Sequence, residues 1–215
     1  MEITVKRFKE LVLSENEKQN LISRKSVHYE LDKHIEDSSR ILDIISFTNH
    51  KVVDLGSGAG FPGLILAIFC REANFTLVES DQKKSQFLKN AIQELGLSHV
   101  EVICARAEVL GQDKVFREQF DYCTSRAVAA MNILLEYSLP LVKMGGQVLM
   151  WKGSNYQREI EESRHALQQL GGTMGEVYLY NLLEERDRAI VIVDKTSATP
   201  AKYPRRVGIP SKRPL

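Results

Sequence analysis

From Lys51 onward, short β-rich runs alternate with helical stretches, and this alternation narrows the fold more than any other feature of the chain. The runs KVVDL, NFTLVES, HVEVIC, FDYCTS and GQVLMWKG are each followed by a helical pattern or, after HVEVIC, by a short turn region. Such alternation predicts parallel strands joined by right-handed crossovers, with helices covering both faces of the sheet. The pattern breaks near the end, where EVYLYNL and DRAIVIVDK are joined by a short charged link with no helix between them. A hairpin there makes at least one strand antiparallel.

Five strand–helix units closed by a hairpin is the layout of a seven-stranded, mostly parallel, Rossmann-like sheet of the class I methyltransferase kind. A six-stranded dinucleotide-binding sheet would instead be all parallel. Ahead of it, residues 1–47 read as a helical segment. Phe8, Leu11 and Val12 fall at helical spacing, as do Leu31, Ile35, Ser38, Ile41, Leu42 and Ile45. The expected organisation is therefore a helical segment (1–47), an α/β domain (48–195) and a tail (196–215).

The 215 residues are 43% hydrophobic and 27% charged, enough to pack a core and far from a disordered composition. No apolar run reaches the ~18–20 residues of a membrane helix, and the amino terminus interleaves charges where a signal peptide would be apolar. A cytoplasmic protein with no membrane contact is expected. Cys70, Cys104 and Cys123 are widely spaced beside apolar segments, which suggests reduced core thiols and no metal cluster. The net charge of +1 hides an asymmetry: residues 196–215 carry Lys202, Arg205, Arg206, Lys212 and Arg213 with no acid. A basic tail of this kind suits a polyanion or a solvated terminus.

The richest stretch is Asp54-Leu55-Gly56-Ser57-Gly58-Ala59-Gly60-Phe61-Pro62-Gly63. Its glycines permit positive φ and close approach of a ligand to main chain. Gly58, Gly60 and Gly63 also satisfy the dinucleotide pattern G-x-G-x-x-G, a weak signal alone. Asp54 separates the two readings: a carboxylate at the end of the strand repels a pyrophosphate but suits S-adenosylmethionine, which carries an ammonium and a sulfonium and no phosphate. Glu79 ends the second strand, where an acid accepts hydrogen bonds from ribose hydroxyls in either kind of site. Arg126, after the fourth strand, falls at the same sheet edge, where its fork of donors suits a carboxylate or a phosphate.

DLGSGAGFPG, the acid-ended second strand, RAE, TSRAVA, GGQVLMWKG and KYPRRVGIPSKRPL together resemble the RsmG (GidB) family of bacterial methyltransferases. Members of that family modify N7 of guanine 527 in 16S ribosomal RNA of the small ribosomal subunit. The resemblance runs from KHIEDS, where the family tends to have RHLLDS, to the carboxyl terminus. It implies cofactor contacts at Gly56, Phe61, Glu79, Ala107 and Glu108, with the last two near adenine, and places Arg126 at the methyl-transfer end. Asp54 and Gly58 complete the expected cofactor set. The implied partner is 16S ribosomal RNA or the small-subunit particle, met by a monomer. His34, Lys152, Arg205 and Arg206 are the expected RNA contacts.

Guanine N7 has an in-plane lone pair and no proton to lose, so attack on a sulfonium methyl needs alignment and no general base. The chain accordingly has no Asp/Asn-Pro-Pro-Tyr/Phe clamp for exocyclic amines and no Pro-Cys pair for addition to cytosine.

Overall fold

A computed structural model describes residues 2–22, 27–182 and 185–215. Strands β1 (Lys51–Leu55), β2 (Asn74–Glu79), β3 (Val100–Cys104), β4 (Phe120–Arg126), β5 (Val142–Lys152), β6 (Gly172–Leu182) and β7 (Glu185–Lys195) form one sheet in the order β3-β2-β1-β4-β5-β7-β6. The pairs among β1 to β5 are parallel, and β7 runs antiparallel to both β5 and β6. The expected hairpin is therefore present, although its charged link includes residues 183–184, which lie outside the described residues. Both hairpin strands begin earlier than their β-rich runs suggested, and β6 carries a register shift between Met174 and Val177.

Helices α1 (Glu2–Lys18), α2 (Val27–Ser39), α3 (Gly63–Phe69) and α4 (Gln82–Glu94) pack on one face. Helices α5 (Ala107–Leu110), α6 (Met131–Ser138), α7 (Tyr156–Glu162) and α8 (Arg164–Leu170) cover the other. Alternate residues of each central strand feed the two cores: Val52, Leu77, Leu149 and Ile190 enter the first, and Val53, Val78, Val148 and Val191 the second. Strands covered on both sides read as unbroken apolar runs for this reason. The amino-terminal segment shares the first core through Phe8, Val12, Leu31 and Ile41, all fully buried.

Asp81 caps α4, its Oδ1 accepting from the Lys83 and Lys84 amides at 2.8 and 3.0 Å. That cap turns the chain immediately after Glu79 and holds Glu79 at the carboxyl edge of the sheet. The crossovers run one way from β1 through β2 to β3 and the other way through β4 and β5. The two loops leaving β1 and β4 consequently diverge, opening a crevice at the carboxyl ends of these strands. The tail, for which a solvated terminus was one reading, instead folds back on the domain. Gln112 Nε2 donates to Pro204 O at 2.8 Å, Arg117 Nη1 donates to Tyr203 O at 2.7 Å, and a last helical turn, α9 (Ile209–Lys212), follows. No helix among the described residues is long and apolar enough to cross a membrane. All three cysteines are free; Cys123 is buried and Cys70 half-buried, whereas Cys104 is exposed and no core thiol.

Candidate cofactor and substrate clefts

The loop after β1 is built by hydrogen bonds that only a glycine-rich chain can make. Gly56, Gly58 and Gly60 have φ of 68°, 54° and 100°, in the left-handed region that L side chains rarely adopt. The Gly56 amide donates to Val78 O at 2.9 Å, tying the loop to β2. A Cβ at Gly56 would lie 2.6 Å from a Val128 methyl, so the loop and the segment after β4 sit in close contact.

Glu79 is buried and grips this loop, Oε2 accepting from the Gly58 amide at 2.9 Å and Oε1 from the Asp81 amide at 2.8 Å. Each carboxylate oxygen keeps further acceptor capacity. Beside it opens a cleft of about 350 Å³, lined by Gly56, Ser80, Ala107, Glu108, Val128 and Ile133, among others. Apolar walls close to carboxylates suit a flat purine with a diol attached. Gly56, Ala107 and Glu108 thus line one cleft, and Glu79 adjoins it through Ser80. Tyr137 and Ser211 also line it, and neither stood out in the sequence, because the first is on a helix of the second core and the second on the tail. Glu108 is itself buried, its Oε1 accepting from the Gly208 amide at 2.9 Å. The tail therefore closes one wall.

Asp54 does not face this cleft. It is fully buried beneath the loop, where Thr124 Oγ1 donates to its Oδ1 at 2.7 Å and Oδ2 faces the Gly63 amide outside full hydrogen-bond geometry. Burial pushes its carboxyl up to about 6, against the lowering effect of Thr124, Ser57 and Gly63. Its negative charge acts from below the glycines.

A second cleft, of about 210 Å³, lies on the β5 side of the segment after β4 and shares Ala129 with the first. Arg126 forms one wall, held by Asp37: Nη1 donates to Asp37 Oδ2 at 2.7 Å, and the guanidinium lies 5.0 Å from the Phe61 ring centroid. Asp37 also accepts from Tyr180 Oη at 2.6 Å, and its main-chain oxygen accepts from Trp151 Nε1 at 2.8 Å. One buried acid on α2 thereby joins β4, β5 and β6. The sequence carried a faint signal for it, a carboxylate next to the apolar stripe of an amphipathic helix.

Phe61 turns inward rather than lining the first cleft, packing on Phe8 and on His34, whose ring centroid is 5.1 Å away. His34 is pushed down to about 4 by burial and by the neighbouring Arg126. It is a neutral imidazole at pH 7, without the charge a phosphate contact uses. Lys152 is buried too, Nζ donating to Glu159 Oε2 at 2.7 Å and Ala129 O at 3.0 Å. Arg205 turns inward to Glu136, while Arg206 is exposed. A larger hollow of about 560 Å³ beside Ile45 and Phe69 lies at the amino ends of the strands, away from the loops that carry chemistry.

His34 and Asp54 affect acid stability in opposite senses. A base lowered from 6.5 to about 4 binds fewer protons when folded, so its contribution is present above 6.5 and lost as pH falls toward 4. An acid raised from 3.8 to about 6 binds more, so its contribution is present below 3.8 and lost as pH rises through 6. Relative to the parent protein, His34→Gln should gain stability as pH falls from 7 to 4, and Asp54→Asn as pH rises over the same window. Urea titrations at several pH values check this, and slopes of the same sign in both variants would contradict it.

The fold and glycine loop define a Rossmann-like methyltransferase. Among solved structures, the chain superposes on M. jannaschii TYW2 in complex with AdoMet with a TM-score of 0.59 at 18% identity, covering 75% of this chain and 74% of that one. P. horikoshii TYW2 in complex with MeSAdo gives 0.61 at 14% identity, covering 76% and 64%. The chain belongs to the GidB family, described as rRNA small subunit methyltransferase G, whose profile matches residues 1–191. It is 54% identical over 215 residues to the Ribosomal RNA small subunit methyltransferase G of Syntrophomonas wolfei, covering the whole of both chains. The protein of the same name from Desulfitobacterium hafniense is 45% identical over 201 residues, covering 93% of this chain and 83% of its own.

Proposed function

We propose that this protein binds S-adenosylmethionine in the first cleft and methylates N7 of guanine 527 in 16S ribosomal RNA. The observation that carries the reading is the cleft at the switch between β1 and β4, where Gly56, Ala107 and Glu108 meet beside Glu79 in a chain of this family. The residues fit the cofactor. A Cβ at Gly56 would crowd the cleft wall and Glu79 retains acceptor capacity for a ribose, whereas Asp54, fully buried, supports the loop from below and does not itself choose between the two ligands. S-adenosylmethionine supplies a methyl group on a sulfonium.

The chain's own residues orient and enclose. Gly58 is held by Glu79, fixing the loop, and Ala107 and Glu108 border the purine. Arg126, aimed by Asp37 and Phe61, lines the second cleft and attracts a carboxylate or phosphate at the transfer end. No residue need remove a proton from N7, so rate comes from alignment of nucleophile and methyl. Arg206, Lys202, Lys212 and Arg213 are exposed on the folded tail and offer salt-sensitive attraction to RNA phosphates. His34 contributes shape beside Arg126 rather than charge. The protein acts in the cytoplasm as a monomer, on RNA or on a small-subunit particle.

Ligand-induced stabilisation tests the cofactor: S-adenosylhomocysteine at a hundredfold excess over its Kd should add about 2.7 kcal/mol, and NADH nothing. Mapping N7-methylguanine in 16S ribosomal RNA from cells with and without the gene tests the target. Stabilisation by NADH alone, or an unchanged methylation map, would overturn the reading.

A further inference from the structure

Resting on the proposed function, we infer that the pair of buried Lys152 and half-buried Glu159 in the second cleft reads the Watson–Crick edge of the target base and so selects guanine. Both side chains line the cleft beside Arg126, Asp37 and Trp151. Lys152 is at the end of β5 and Glu159 on α7, so two separate elements bring them together. Glu159 Oε2 is fully engaged, accepting from Lys152 Nζ at 2.7 Å and from the Met131 amide at 2.8 Å. Its Oε1 has no protein partner among the described residues, and the side chain is 25% exposed, toward the cleft it lines. Lys152 Nζ spends two of its three hydrogens, on Ala129 O and Glu159, and keeps one.

The pair therefore presents one spare donor next to one spare acceptor at the wall of a cleft sized for a single base. Guanine offers the complement along one edge, an acceptor at O6 next to a donor at N1. Adenine offers the reverse, a donor at N6 next to an acceptor at N1, and would meet donor with donor and acceptor with acceptor. Engaging O6 and N1 leaves N7 uncovered. Ala129, common to both clefts, puts that base beside the cofactor site. Reaching a pair recessed in this cleft requires the base to be unstacked or displayed in a loop. A surface lysine reading phosphate would carry no sequence information; one that is only 7% exposed and tied to a carboxylate is better placed for a base than for a backbone.

The test uses the full chain and target RNA carrying guanine, inosine or 2-aminopurine at the modified position. All three keep N7. Inosine keeps O6 and N1–H, and 2-aminopurine lacks both. The parent enzyme should methylate inosine RNA within about threefold of guanine RNA and reject 2-aminopurine RNA by about 100-fold, the scale of two lost hydrogen bonds to a built site. Glu159→Gln and Lys152→Met should cut kcat/KM for guanine RNA by about tenfold or more and shrink the 2-aminopurine penalty, with affinity for S-adenosylhomocysteine unchanged. Equal methylation of guanine and 2-aminopurine RNA by the parent enzyme overturns the inference without any variant. So does a Lys152→Met enzyme that keeps its base discrimination but loses about one phosphate contact from its salt dependence. Failure of the parent enzyme on every guanine RNA overturns the proposed function and this inference with it.

Discussion

Arg205→Ala is expected to lower the melting temperature by on the order of 10 °C, from the loss of about 3 kcal/mol when a fully buried carboxylate loses its half-buried partner. Glu136 has no exposed surface and sits on α6 under the tail. Arg205 Nε donates to both of its oxygens at 2.9 and 3.1 Å, and Nη2 donates to Oε2 at 2.6 Å. Truncating the arginine leaves that carboxylate buried with only the main-chain amide of residue 205, 2.8 Å away. The double variant Arg205→Met with Glu136→Met should lose much less, because no charge is then stranded. Differential scanning calorimetry of the two proteins decides it. A single variant that melts within about 2 °C of the parent but binds RNA poorly would return Arg205 to the role of a phosphate contact. Removing residues 202–215 is for the same reason no clean probe of RNA binding, since Gly208 and Ser211, which shape the first cleft, would go as well.

Gly63→Ala should be at least as damaging to the cofactor site. The added Cβ would lie 2.5 Å from Asp54 Cβ and 2.6 Å from Asp54 Oδ2. Asp54 is on a central strand, paired in register with Leu77 and Thr124, so it has nowhere to withdraw. Overpacking of this kind costs about 1–3 kcal/mol, and relief by shifting α3 would displace the glycine loop and weaken S-adenosylhomocysteine binding by about tenfold or more. Gly96→Ala makes the contrast: Gly96, unlike Gly63, has positive φ, yet nothing lies within 4 Å of its would-be Cβ. It should cost only about 1–2 kcal/mol of backbone strain and leave cofactor affinity intact. Calorimetry paired with titration of S-adenosylhomocysteine measures both terms; full affinity in Gly63→Ala would remove Asp54 and Gly63 from the support of the loop.

Much of this architecture was legible before any coordinates. Val52 and Val53, or Ile190 and Val191, are apolar in succession because each strand is covered on both faces, and such runs punctuated by Gly and Pro announce a doubly wound sheet. The glycine loop and Glu79 were legible as well, since their chemistry depends on neighbours close in sequence. Asp37 was hard to single out because its partners Arg126, Trp151 and Tyr180 are far away along the chain. Glu159 looked like any acid on a solvated helix for the same reason.

The succession of strands and helices, the hairpin and the glycine loop could be read from the chain alone, because periodicity and glycine conformation are local properties. Which charges are spent and which remain available emerged only from the folded arrangement. Arg205 and Lys152 looked alike as basic candidates for RNA contact, yet one fastens the tail to Glu136 and the other stands with Glu159 in a cleft. Whether a cation reaches solvent depends on the acid that folding carries to it across the chain, and in water the two are free to ignore one another until burial makes pairing obligatory.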